Sequence, residues 1–476
     1  MSTPNQEADD ARTIQARIYA EDRGALFELI TRHSFDYGCR PSAQVDESGR
    51  LYTPALLLQR ELAELRDEGV RVTVRTEILA DDTTAAETIG QGDRFEGGAR
   101  PPQGAGSRGE GGAQEIGPIM NVDEIGSAIS GLVNEFGIPT FPLPNGTAEG
   151  QIPTGGQIGD VDPELYHVYF TAGVHARERG GPDCLIYFIA DLLHAKRAGT
   201  GLVYGAKSYT NAQVSQALNT GIVFFPLVNP DGVRWDQDTD SLWRKNRNPA
   251  DATGTPQSIG VDINRNYDFL WDFRTHFDPT VTGSGSLASD NPNAETYHGR
   301  SPFSEPEARN VAWVFDQFPR LRWYMDIHSA VGDILYPWGD DNNQSSDPGM
   351  TFLDPRWDGK RGVVTIDDYR EWISESDGAA ARGVARRVAA AMRNVGGRFF
   401  TPLQAVGLYP TSGASDDYAF SRFQADPSLN KVFGFTMEFG YPTNFYPTLP
   451  EFHNNVVDVG AGLMEFCLAA TSVGLA

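Results

Sequence analysis

Short, mostly apolar runs alternate along this chain with longer stretches whose apolar residues recur every three or four positions. YHVYFTAGV, GIVFFPLVN, LRWYMDIHS, DILYPWG and VFGFTMEFG are the short runs, and they predict strands of a sheet covered on both faces. NVDEIGSAISGLVNEFG, GPDCLIYFIADLLHAKRAG, SEPEARNVAWVFDQF, the stretch from Asp377 to Val395 and the tail from Glu451 to Ala470 predict the covering helices. Together they define an α/β unit over residues 118–476.

A smaller pattern precedes it. ARTIQARIYA reads as a strand, EDRGALFELITRH as a helix, and SFDYGCRPSAQV and GRLYTP as strands joined by a turn at Asp46–Gly49. LLLQRELAELRDEG then reads as an amphipathic helix and VRVTVRTEI as a strand. The order β-α-β-β-α-β predicts a small split sandwich over residues 1–81. Residues 82–117 are rich in Gly with almost no apolar positions, which predicts a flexible linker. Arg94, Arg100 and Arg108 within it are expected to be open to a trypsin-like protease.

Charge and cysteine content narrow the function. The 64 acidic residues outnumber 39 basic ones, giving a net charge of −25 that excludes a nucleic-acid partner. No run of about 18 apolar residues predicts a membrane span, so no membrane partner is expected. The start, MSTPNQEADDARTIQ, lacks a basic patch before an apolar stretch. A cytoplasmic location is therefore the default expectation, and export as a processed form the alternative. Cys39, Cys184 and Cys467 are widely separated, so any metal must be held by His and carboxylate. Cys184 and Cys467 sit in apolar surroundings and are expected to be buried.

Chemistry in such folds collects on loops beyond strand ends. VYFTAGVHARERGGPD leaves a strand and turns into a helix with His175 and Glu178 at its tip. A His and a Glu three apart can point the same way from a turn and offer a nitrogen and a carboxylate to one metal ion. RWYMDIHS ends in the same manner at His328. Three protein ligands with one position open to water is the pattern of catalytic zinc.

The segments FTAGVHARE, VNPDGVRW, LWRKNR, GVDINRNYDF, ETYHGRSPFSEPEA, MDIHS, GLYPTSGASDDYAF and FTMEFG occur in this order over about residues 165–440. In these the chain resembles the zinc carboxypeptidases of the carboxypeptidase A/B family. The resemblance implies a mixed, twisted sheet of about eight strands flanked by helices. It implies that His175, Glu178 and His328 bind one Zn2+ ion and that Glu438 activates water and returns the proton to the leaving amine. It also implies that Arg244 stabilises the oxyanion, that Asn264 and Arg265 grip the substrate's terminal carboxylate, and that Tyr409 closes over it. Arg177 matches an accessory subsite arginine, and Asp262 a carboxylate that orients a zinc-bound His. The partners implied are peptide or protein C-termini.

Asp416 falls where the family places the floor of the pocket for the C-terminal side chain, which implies a preference for Lys or Arg. Capping of the following helix is the alternative use of that residue. The chain departs from the pattern at Ala330, where pancreatic relatives carry a tyrosine, and at Asn293, where they carry a cysteine. Thr200–Asn219 and Asp341–Tyr369 differ from compact relatives and are expected at the funnel rim. The first unit resembles the pro-domains of these enzymes, which cover the active site until a linker is cut; a permanently attached accessory domain is the alternative. Two other functions stay open: the same metal chemistry on peptidoglycan stem peptides, and a non-catalytic module that captures C-termini.

Overall fold

The computed structural model describes residues 13–33, 35–37, 43–46, 48–74, 88–108, 116–283, 285–364, 368–440 and 445–475. In the first unit, β1 (Thr13–Ala20), β2 (Gln44–Val45), β3 (Leu51–Leu58) and β4 (Val72–Val74) form an antiparallel sheet in the order β2-β3-β1-β4. Helices Arg23–Arg32 and Gln59–Asp67 complete the expected β-α-β-β-α-β order. Ile18, Leu57 and Leu65 are buried at its centre. Cys39 and the end of the VRVTVRTEI strand lie outside the described residues.

The large unit is built on β5 (Thr140–Pro142), β6 (Thr154–Ile158), β7 (Val168–Ala172), β10 (Ile222–Phe225), β11 (Trp323–Ser329), β12 (Asp333–Tyr336), β15 (Thr401–Gln404) and β16 (Phe433–Phe439). They form one eight-stranded sheet in the order β15-β12-β16-β11-β7-β10-β6-β5. β16, β11, β7 and β10 run parallel, while β12 meets β16 and β6 meets β10 antiparallel. The sheet is therefore mixed, as expected. Every residue of β7, β10, β11 and β16 is buried, which fits strands covered by helices on both faces. Two short pairs stand apart, β8 (Leu202–Tyr204) with β9 (Lys207–Tyr209) and β13 (Asn343–Gln344) with β14 (Glu371–Trp372).

The five expected helices are present as Val122–Phe136, Gly181–Ala198, Pro306–Gln317, Glu375–Gly396 and Leu449–Val473. Val122–Phe136 shows why its ends fall where they do. Asn121 and Glu124 form a reciprocal capping box, and Gly137 closes the helix in the left-handed region at φ 68°. Leu449–Val473 is long and apolar enough to cross a membrane by length and composition alone, but 72% of its apolar window is buried within the domain. Its scattered polar residues, among them Glu451, Asp458 and Glu465, break the run in the sequence.

The linker expectation fails over its described part. Ile89 pairs with Ile119, Pro102 O meets His194 Nε2 at 3.1 Å, and Gly106 N donates to Asp191 at 2.9 Å. The glycines serve close approach: a Cβ at Gly104 would stand 2.1 Å from Asp191 Oδ1. Arg94 is half-buried and paired with Glu124. Residues 88–108 are thus part of the large unit. Thr200–Asn219 is likewise packed on the body, with the Tyr209 hydroxyl donating to Ala461 O at 2.9 Å. Cys184 and Cys467 are buried free thiols.

Candidate active site

Parallel register brings the chemistry together. β11 pairs with β7 on one side and with β16 on the other, and His328 stands directly across from Glu438. β7 leads into the turn that carries His175 and Glu178, which opens helix Gly181–Ala198. Strand ends 150 residues apart thereby place His175, Glu178 and His328 with all three ligand atoms within 4.8 Å of one another.

The donor set fits a metal. His175 Nδ1 lies 2.7 Å from Glu178 Oε1, and His328 Nδ1 lies 2.9 Å from Glu178 Oε2. The two Nδ1 atoms are 3.0 Å apart, so both rings aim at one point. Their other nitrogens lie beside carboxylates: His175 Nε2 bonds Asp262 Oδ1 at 3.1 Å, and His328 Nε2 is 3.0 Å from Asp326 Oδ2 without hydrogen-bond geometry. Carboxylates on the outer nitrogens with the Nδ1 atoms turned inward is the arrangement found around histidine ligands. Burial lifts the Glu178 carboxyl, but the two imidazoles outweigh it and hold it below the carboxylate range.

Asp326 is a site residue that the motif reading missed. It lies two positions before His328 on one strand, and so on the same face. The hydroxyls of Thr171 and Ser415 donate to it at 2.7 and 2.8 Å. Only the fold brings those partners near.

Asp262 has the expected place and a second task. Besides His175, it accepts from Arg244 Nε at 2.9 Å and from the Asn264 backbone at 3.0 Å. Burial alone would raise its carboxyl, but Arg244 and His175 pull it well below the usual range. Arg244 is buried and feels Glu178 and Tyr409. Arg265 is buried and donates to the carbonyls of Asn264 at 2.7 Å and Ser286 at 3.0 Å, leaving Nε without a partner among the described residues. The Tyr409 ring lies 5.7 Å from its guanidinium carbon. Asn264 Oδ1 accepts from Ser415 N at 2.8 Å, which ties it to the loop before Asp416.

Asp416 is buried, accepts from the Thr436 hydroxyl at 3.0 Å, and accepts from the Asp417 backbone at 2.9 Å. Asp416 lies inside the first turn of helix Ser415–Ala425, whose N-cap is Ala414 with no side-chain cap bond, so the capping use is not seen. Burial pushes its carboxyl upward, and among the described residues no Lys or Arg is paired with it. Glu438 is also buried, and its Oε2 has no partner among the described residues. Burial, then the like charge of Glu178, pushes its carboxyl to about 8.

Arg177 reaches the first unit. Its Nη1 donates to Asp36 Oδ2 at 2.9 Å and to Glu295 Oε2 at 3.4 Å, and its guanidinium lies over the Phe445 ring. Leu56 of β3 packs beside it in a cluster with Leu242, Ala330 and Phe445. Ala330, the departure from the family pattern, thus packs in the same cluster as Leu56.

A buried His/Glu/His set beside parallel strand ends, with a carboxylate oxygen lacking a partner across the strand pair, forms a candidate metal centre on an α/β scaffold. The zinc carboxypeptidase family profile matches residues 148–457, and the chain belongs to that family. It is 32% identical over 176 residues to the Inactive metallocarboxypeptidase ECM14 of Ajellomyces dermatitidis, covering 36% of this chain and 25% of that protein. The corresponding protein of Talaromyces marneffei is 27% identical over 253 residues, covering 51% and 37%. The chain thus spans a quarter to about two fifths of the length of these curated relatives. By fold it resembles thrombin activatable fibrinolysis inhibitor, with TM-score 0.65 and 15% identity over 97% of this chain and 99% of that one. The carboxypeptidase A of Helicoverpa armigera gives TM-score 0.60 and 19% identity, over 96% and 98%.

Proposed function

We propose that this chain is a zinc-dependent carboxypeptidase that hydrolyses the last peptide bond of peptides or proteins and prefers C-terminal Lys or Arg. The observation that carries the reading is Glu438, a buried carboxylate with a free oxygen that faces His328 beside the inward-aimed donors of His175 and Glu178. The relatives above are named inactive, so the case rests on this chain's own residues.

His175, Glu178 and His328 would hold the zinc ion, which supplies Lewis acidity toward a carbonyl and a lowered pKa for water. Glu438 takes the proton of the attacking water and delivers it to the leaving amine. With zinc held by the three ligands, the charge of Glu178 would be offset and the upward push on the Glu438 carboxyl would lessen. Arg244, steadied by Asp262, meets charge that develops on the carbonyl oxygen. Arg265 and Asn264 bind the terminal carboxylate, Tyr409 covers it, and Arg177 serves the approach. Asp416 meets a Lys or Arg side chain, which supplies the cation its buried carboxyl lacks. In the intact chain the first unit serves as a cover, with Asp36 holding Arg177 and Leu56 filling the cleft wall.

The test is release of the last residue from blocked dipeptides ending in Arg and in Phe, with wild type and E438Q, before and after clipping between the units. Chelator-sensitive release of Arg by wild type alone supports the proposal. Peptide capture without turnover in either protein identifies a binding module, and faster release of Phe removes the basic preference.

A further inference from the structure

Behind the pocket floor, four carboxylates pack around one guanidinium. Asp340, Asp341, Glu371, Asp417 and Arg361 are all buried, none more than 1% exposed. Three of the carboxylates have donors. Asp417 accepts from Gly339 N at 3.0 Å, Asp341 from Gly362 N at 2.8 Å, and Glu371 from the Tyr369 hydroxyl at 2.5 Å and Phe352 N at 3.1 Å. Asp340 has none: no donor among the described residues reaches either of its oxygens.

Arg361 attracts Asp340 at a distance but makes no hydrogen bond to it. Its Nη1 goes to the carbonyls of His276 and Trp357 and to Asp358 Oδ1 at 3.0 Å, and its Nη2 to the carbonyl of Phe352. Asp340 meanwhile feels the negative charges of Glu371, Asp417 and Asp341. Glu371 is within hydrogen-bonding reach of it. Two carboxylates so placed need a proton or a cation between them.

We propose that this cluster binds a divalent cation of the calcium type, with Asp340 and Glu371 as direct ligands and Asp341 and Asp417 supplying the surrounding negative charge. The donor set is all oxygen, with neither imidazole nor thiolate, which selects a hard cation over zinc. The carboxylates are a looser set than His175, Glu178 and His328, whose ligand atoms lie within 4.8 Å. Carbonyls and water therefore complete the shell of about six to eight oxygens that calcium takes. The ion ties the loop after β12 to β14 and to the start of helix Ser415–Ala425. That loop already lies tight on the helix: a Cβ at Gly339 would stand 2.4 Å from Thr411 Oγ1 and 2.7 Å from Asp417 Oδ2.

Terbium, a calcium surrogate, tests the site in the full chain once the histidine centre is saturated with zinc. Tyr369, Trp338 and Trp372 border the cluster and sensitise its emission on excitation. The expected result is emission that saturates at one ion per chain, is displaced by calcium, and weakens at least tenfold in D340N and E371Q. Calcium also raises the Tm of wild type and not of the variants. Absence of any calcium-dependent Tm shift in wild type overturns the proposal. So does an equal calcium response in both variants, which identifies loose binding to a chain of net charge −25. A D340N protein more stable than wild type, with neither responding to calcium, identifies a shared proton and overturns it too. If D340N does not fold, E371Q and the wild-type titration decide.

Discussion

Asp36 Oδ2 sits 2.9 Å from Arg177 Nη1, so a side chain of the first unit pairs with a buried arginine that lies in sequence between His175 and Glu178. Arg177 is 2% exposed and Asp36 25%, so the pair is poorly screened and contributes roughly 1.5–3 kcal/mol to closure. D36A in the intact chain is expected to tighten binding of a C-terminal peptide inhibitor about tenfold or more, since about 1.4 kcal/mol is a factor of ten. Inhibitor titration of the two intact proteins measures it, and equal affinities count against the cover.

E438Q is expected to lower kcat by about 10²–10⁴, the usual contribution of a positioned base, with zinc content unchanged. Metal analysis alongside steady-state kinetics separates loss of the base from loss of the ion.

D416N is expected to lower kcat/KM for a dipeptide ending in Arg by about tenfold or more, while a Phe-ending substrate changes little. Equal losses on both substrates assign Asp416 to its bonds with Thr436 and Asp417 rather than to selection.

Stability is expected to fall as pH rises from about 4 to about 8. Burial pushes the carboxyls of Asp183 and Asp191 to about 7 and that of Glu307 to about 8. In this window the folded chain keeps protons that the unfolded chain has lost, so each group's contribution is full below about 4 and is lost as pH climbs through its raised value. Urea midpoints of the zinc-loaded protein at pH 5 and pH 8 report this, and D191N is expected to flatten the decline.

Trypsin is expected to leave residues 88–108 attached to the large unit. Arg94 pairs with the buried Glu124, and the Gly104–Gly106 stretch is pinned on Asp191. A stable fragment whose N-terminus follows Arg94, Arg100 or Arg108 contradicts that packing; mass spectrometry of the early products reads it directly.

The central strands were legible because burial on both faces leaves nearly unbroken apolar runs, and their ends carry His328 and Glu438 inside recognisable segments. The outer strands were not. β6, with the sequence TGGQI, and the edge strand β15, with TPLQ, lack both an apolar run and clean alternation. The segment 88–108 misled because glycine serves two physical purposes. In composition it signals freedom, but Gly104 is required where the chain touches Asp191. Asp340 offered no local signal either, since its neighbours Glu371 and Asp417 come from distant segments and only the fold gathers them.

Glu438 carries a consequence for the stability of the fold. Burial and the like charge of Glu178 push the Glu438 carboxyl upward, so a neutral replacement in the same space relieves a cost to the fold. Because the residue closes β16 at the sheet's end, its exchange leaves the register of the core strands intact. Glu438→Gln is therefore expected to leave the fold intact or slightly more stable, whatever it does to the chemistry of the site. A protein with that exchange keeps the same scaffold around His175, Glu178 and His328, and with it every other side chain of the site.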